Sequence, residues 1–188
     1  PPTRPPPPPL PPPQSIVQQW ASSASSSSEY FDTWGGGTGS YPASEATGAA
    51  FHRGYCRPHG LHAPAWEPAD KGTHEWLHVA FEAAVFATSI EVFEVAGSPF
   101  VSSIEVYDPN GLNTTVFSGP DNTPCGSSLI LQLPGTLQVA SARIHTFSTE
   151  YVAIDAVVCR SSLNLRVPTL LLLSLAAETR VGPLRRRG

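Results

Sequence analysis

From about residue 75 onward, apolar and polar side chains alternate in short runs, and that period confines the chain to strands. Leu77, Val79 and Phe81 alternate with Trp76, His78 and Ala80, and Ile90 and Val92 alternate with Glu91 and Phe93. Ile104 and Val106 alternate with Ser103, Glu105 and Tyr107. Leu129, Leu131 and Leu133 share one face, as do Val152, Ile154, Ala156 and Val158. A spacing of two sets one series against a core and the other toward solvent, which is the mark of a half-buried strand. Turn-forming clusters punctuate the runs: Gly97-Ser98-Pro99, Asp108-Pro109-Asn110-Gly111, Gly119-Pro120-Asp121-Asn122 and Pro134-Gly135. About eight short strands are expected between residues 75 and 159, which makes the fold class all-β, an antiparallel β-sandwich or jelly roll.

The flanks obey other rules. Residues 1–13, "PPTRPPPPPLPPP", form neither helix nor sheet, because proline fixes φ and removes the amide donor. They read as a polyproline spacer with a reach of roughly 40 Å at ~3.1 Å per residue. A docking ligand for a proline-recognising groove, oriented by Arg4, is the alternative. Residues 21–28 are serine-rich, yet Trp20, Tyr30, Phe31 and Trp34 are expected to anchor this segment on a core. The domain is therefore drawn over residues 14–159. Residues 160–188 are expected to be a poorly ordered tail with at most a short amphipathic helix. The apolar run from Leu170 to Ala177 is far shorter than the ~20 residues that cross a bilayer. The closing Arg185-Arg186-Arg187 does not suit a GPI signal.

One motif points away from a binding domain. His74-Glu75-Trp76-Leu77-His78 spells the H-E-x-x-H signature of zinc peptidases. On a helix the two imidazoles lie roughly 6 Å apart and grip one ion. On a strand they share a face about 13 Å apart, at ~3.3 Å per residue, and cannot. Residues 76, 77, 79–81 and 83–87 are all apolar, which would surround a helix instead of striping it. Glu94 and Glu105, the available third ligands, fall in alternating runs. The extended reading is therefore preferred, with His74 and His78 at the solvent face. A zinc metallopeptidase remains the rival. A second metal possibility is an adventitious site from His52, His59, His62, His74 and His78 with Cys56.

The net charge of −4 excludes a general nucleic-acid binder. No methionine occurs, so the chain reads as a fragment or processed product. Its three cysteines, Cys56, Cys125 and Cys159, fit either one bridge plus a spare thiol or three reduced thiols. Asn113-Thr114-Thr115 is an N-glycosylation sequon, while Pro124 spoils the triplet at Asn122.

The segments "QQWASSASSSSEY", "ATGAA", "AWEPADKGTHEWLHVAFEAAVFATSIEVFEV", "PFVSSIEVYDPNG" and "YVAIDAVVC" together resemble the scarf domain of pappalysin-type proteins. That domain is a discoidin-like (galactose-binding-like) β-sandwich, and several volvocine green-algal secreted proteins are similar. The resemblance covers about residues 17–159. It implies a non-catalytic extracellular module, in which H-E-x-x-H falls on a core strand, and a Cys56–Cys125 disulfide with Cys159 left over. The proline-rich start is similar to the hydroxyproline-rich spacers of algal cell-wall glycoproteins, placing the chain in a wall or matrix setting.

The expected activity is recognition or adhesion toward a glycan or protein, with no enzyme activity and no nucleic-acid partner. A structural matrix component without a discrete ligand is the remaining alternative. The loop from His59 to Lys71 supplies candidate binding residues Trp66, Glu67, Asp70 and Lys71, an aromatic beside mixed charge. Trp66 also fits a core anchor. Glu94 and Asp155 lie in apolar strands, so each needs a hydrogen bond or partner if buried. They are expected to tie down loop amides or pair with Arg143, or else to hold a calcium ion. No other cofactor is expected.

Overall fold

The longest alternating run becomes one strand that serves two sheets. The computed structural model describes residues 16–32, 39–56, 64–97 and 99–162. The polyproline spacer, Trp34, His59, His62 and the tail beyond Ser162 lie outside the described residues. Strands β1 (Ile16–Trp20), β2 (Ser23–Ser26), β3 (Tyr30–Asp32) and β4 (Gly39–Tyr41) precede a 3-10 turn at Ala43–Ala46. β5 (His74–Ala96), β6 (Val101–Tyr107), β7 (Asn113–Ser118), β8 (Ser128–Gln132), β9 (Gln138–Phe147) and β10 (Ala153–Ser162) follow. Every pairing among these strands is antiparallel.

β5 is 23 residues long, so straight it would measure ~75 Å, far more than a sandwich accommodates. It bends instead. Its register against β9 jumps from Ala80–Ser141 to Val85–Val139, and the surplus residues turn the strand from one sheet into the other. The first half joins a sheet of β2, β5, β9, β6 and β7. The second half joins a sheet of β1, β10, β5 and β8. The described chain therefore has six strands from His74 onward, fewer than the eight or so expected; one continuous element doing the work of two accounts for one of the difference. β10 also continues to Ser162, three residues beyond the boundary drawn from the sequence.

Leu77, Val79, Ile104 and Ile144 from one sheet meet Ile90, Val92, Ile154 and Val157 from the other in a single buried cluster. Fully burying each such aliphatic side chain stabilises by about 1.5–3 kcal/mol. The outer face of the second-named sheet is covered too. Trp20 packs on Phe93 with ring centroids 5.7 Å apart, and the Arg53 guanidinium caps both rings. Residues 89–96 are consequently buried on both faces, although their sequence alternates. Of the expected anchors, Trp20 and Tyr30 pack on rings of the core, whereas Phe31 is 57% exposed.

The bend has one consequence for function. Both ends of β5 return to the same end of the sandwich and meet the β9–β10 loop. Ahead of β5, the Gly72 amide donates to Ser148 O at 2.7 Å. Behind it, Gly97 adopts φ +68, and a Cβ there would come within 2.7 Å of Tyr151 O. Only glycine fits that approach.

Candidate functional site

The zinc signature lies wholly in β5. His74 pairs with Phe147, and His78 pairs with Arg143 on one side and Ser25 on the other. The imidazole rings also have separate partners: His74 stacks on Phe147 at 4.7 Å, and His78 meets Tyr107 edge-on at 5.3 Å. Glu75 accepts hydrogen bonds from the Ser27 and Thr73 hydroxyls, which together hold its carboxyl below the usual range against the upward push of burial. Burial, aided by the Arg143 charge, depresses the His78 pKa. Among the described residues no group of three or more His, Cys, Asp and Glu side chains is placed to hold a metal. Among the described residues, His52, Cys56, His74 and His78 do not assemble the histidine-rich metal site either. Cys56 is consumed in a disulfide, and His52 lies beside Asp155, away from β5 His74 and His78.

Cys56 and Cys125 are bonded, with Cα atoms 5.1 Å apart across 69 residues of sequence. Gly126, at φ +81, leaves no room for a Cβ against the Cys56 amide, so the bridge and its turn are packed backbone to backbone. Cys159 is a buried free thiol whose pKa burial pushes up to about 12, which makes it unreactive. Asn113 is exposed at the start of β7, as a glycosylation acceptor requires.

The candidate carboxylates separate. Asp155 Oδ2 accepts the His52 amide at 2.8 Å, tying down the disulfide-bearing loop. Glu94 is fully buried, and neither of its oxygens receives a hydrogen bond from a donor. Its neighbour is Asp121, which accepts amides from Thr123, Phe100 and Val101. Burial first, then the Asp121 charge, pushes Glu94 up to about 9, so at neutral pH it is protonated and donates to Asp121. Arg143 is not its partner. That guanidinium lies 4.7 Å from the Trp76 ring and 5.7 Å from the Tyr107 ring.

Burial divides the expected binding loop. Trp66 is fully buried, bonded through its backbone to Ile154 in both directions and through Nε1 to Ser28 O at 3.0 Å. Glu67 is fully buried as well. Burial removes both from any contact surface. Asp70 and Lys71 are exposed, and Lys71 opens onto a cleft of about 310 Å3 lined with Gly97, Thr149, Glu150 and Tyr151. The Lys71 ammonium lies 5.3 Å from the Tyr151 ring, which itself packs edge-on against Tyr30. The cleft thus combines an aromatic ring, a cation, a carboxylate and a hydroxyl on two loops that β5 pins together. Such a set can hold a polar ring compound: C–H faces on the aromatic, hydroxyls between the two charges. A second cleft of about 210 Å3, between Pro99 and Phe147, is lined chiefly by apolar groups. The residues missed from the sequence are Thr149, Glu150 and Tyr151. Their signal was a polar Ser148-Thr149-Glu150 turn ending on an aromatic.

The profile of the family described as "Pappalysin-1, SD scarf domain, C-terminal" matches residues 12–167. A search of the curated proteins finds no match. Among solved structures, the chain is similar to the family 32 CBM from C. perfringens NanJ in complex with galactose. That likeness has TM-score 0.53 and 15% identity, covering 77% of this chain and 100% of that one. It is similar to an f-lectin (fucolectin) from Morone saxatilis (striped bass) serum, with TM-score 0.55 and 14% identity, covering 76% of this chain and 49% of that one. The CBM32 of AlyQ in complex with 4,5-unsaturated mannuronic acid gives TM-score 0.50 and 12% identity over 76% and 97% of the two chains. These likenesses establish the galactose-binding-like β-sandwich fold.

Proposed function

We propose, from the premise that the chain belongs to the pappalysin-1 SD scarf domain family, that it is a non-catalytic extracellular recognition module. Its ligand is a glycan, bound in the cleft between Lys71 and Tyr151. The observation that carries this reading is the cleft's lining: a ring, a cation, a carboxylate and a hydroxyl on rigidly joined loops. Structures of the same fold bound to galactose and to an unsaturated mannuronic acid support it, as does the disulfide, which belongs to an oxidising compartment. H-E-x-x-H on a strand offers no peptidase geometry. A wall or matrix location, N-glycosylation at Asn113, a polyproline spacer at residues 1–13 and a domain ending near residue 162 belong to the same proposal.

The test is a glycan array followed by calorimetric titration of each hit with the parent protein and with Lys71→Ala and Glu150→Gln. The reading expects at least one neutral glycan whose affinity falls about tenfold in either variant. An array without hits would favour a purely structural matrix component. Hits that both variants bind unchanged would move the site elsewhere.

A further inference from the structure

The H-E-x-x-H run directs Trp76 and His78 outward onto the exposed face of the five-stranded sheet, and that face has chemistry of its own. One cross-strand row reads Ser25, His78, Arg143, Glu105, Thr115 across β2, β5, β9, β6 and β7. Arg143 is at its centre. Its guanidinium carbon lies over the Trp76 ring at 4.7 Å and over the Tyr107 ring at 5.7 Å, two cation–ring contacts that hold the head group in place. Its Nε is buried without an acceptor. Glu105, the carboxylate in register with it, is committed to the Tyr107 hydroxyl at 2.8 Å and to His145 at 3.5 Å. An arginine held in place with no counter-ion among the described residues is a site for a carboxylate, which a guanidinium binds with two parallel hydrogen bonds.

We infer that this sheet face is a second binding surface, independent of the Lys71 cleft, and that it takes a polysaccharide bearing carboxylates. Charge complementarity at Arg143 selects the acid group. The rest of the face selects the sugar. Ser25 and Thr115 flank the row on exposed edge strands and offer hydroxyls to hydroxyls. The three central strands have their backbone groups paired on both sides, so a peptide could be added only along β2 or β7, at least one strand away from Arg143 on β9. Five strands at ~4.8 Å spacing give a flat track of roughly 19 Å, long enough for several sugar residues.

The experiment titrates the whole chain, by calorimetry at low salt, with an oligogalacturonate, an uncharged galactan oligomer of equal length and an oligoglutamate of equal charge. The oligogalacturonate is expected to bind, with affinity falling as salt rises. Arg143→Gln should weaken it about tenfold, and Arg143→Lys, which keeps the charge but loses the fork, by a smaller factor. The loss on Arg143→Gln should be the same size in a Lys71→Ala background, which separates this site from the cleft, and a loss that vanishes there would overturn the inference. Circular dichroism melts confirm that each variant is folded, and Arg143→Lys decides the matter should Arg143→Gln not be. The inference is overturned if the Arg143 variants bind oligogalacturonate like the parent, or if binding of galactan or oligoglutamate falls in Arg143→Gln as much as binding of oligogalacturonate does.

Discussion

The two halves of β5 carry the same alternating pattern into opposite environments. In the first half, Leu77, Val79 and Phe81 are buried while His74, Trp76 and His78 face outward, so polar residues there need nothing beyond their neighbours on the sheet. In the second half the loop that carries Arg53 and Cys56 lies over the outward face and buries Glu91, while Glu94, in register with the core residue Ile154, is buried on the inward face. Each must then find a partner inside the protein. Glu91 finds Arg160 and the Ser128 hydroxyl; Glu94 finds another acid and keeps its proton. The lesson is that alternation reports strand, not solvent. What lies over the strand decides whether a charged residue is decoration or a constraint.

Several experiments press on this contrast. The largest effect is expected from Glu94. Its folded pKa, raised from 4.5 to about 9, means the folded state holds a proton that the unfolded chain releases near pH 4.5. Its stabilisation is complete below that pH and is lost as pH rises toward 9, on the order of several kcal/mol. The Tm should therefore fall between pH 5 and pH 9, and Glu94→Gln, which keeps a donor for Asp121, should flatten that slope. An equal slope in the variant would refute the shared proton. Next, replacing both Cys56 and Cys125 by serine should cost about 4 kcal/mol for a loop this long, measured by urea unfolding. Under denaturing, non-reducing conditions a maleimide should label one thiol per chain, Cys159. Glu91→Ala, which strands Arg160, should cost about 3 kcal/mol. In the exposed half, His74→Ala and His78→Ala should each change stability by less than about 1 kcal/mol. A costly histidine substitution there would erase the distinction between the halves.

The sandwich was legible because its pattern is local. Leu77 through Phe81 and Ile104 through Val106 announce their buried faces within a few residues. The family resemblance supplied the disulfide, which cysteine count alone left open. What stayed hidden depends on residues distant in sequence. The bend of β5 arises from its register against β9 and leaves no mark on the alternation. Glu67 looked like part of a contact surface because mixed charge beside an aromatic reads as exposed, yet it is sealed beside Trp66, which bridges to Ile154 as the core anchor its sequence reading favoured. Lys71 was singled out in the sequence and Glu150 and Tyr151 were not, since only the fold brings that turn to it. Asp121 looked like turn chemistry and proved to be the partner of a buried acid.

The account rests most heavily on the first half of β5 being extended, its two imidazoles held too far apart for one ion. Zinc content after dialysis against metal, measured by mass spectrometry on the parent and His78→Ala, tests this directly. The account predicts substoichiometric zinc that the substitution leaves unchanged. One zinc per chain, lost in His78→Ala, would contradict it and restore the peptidase.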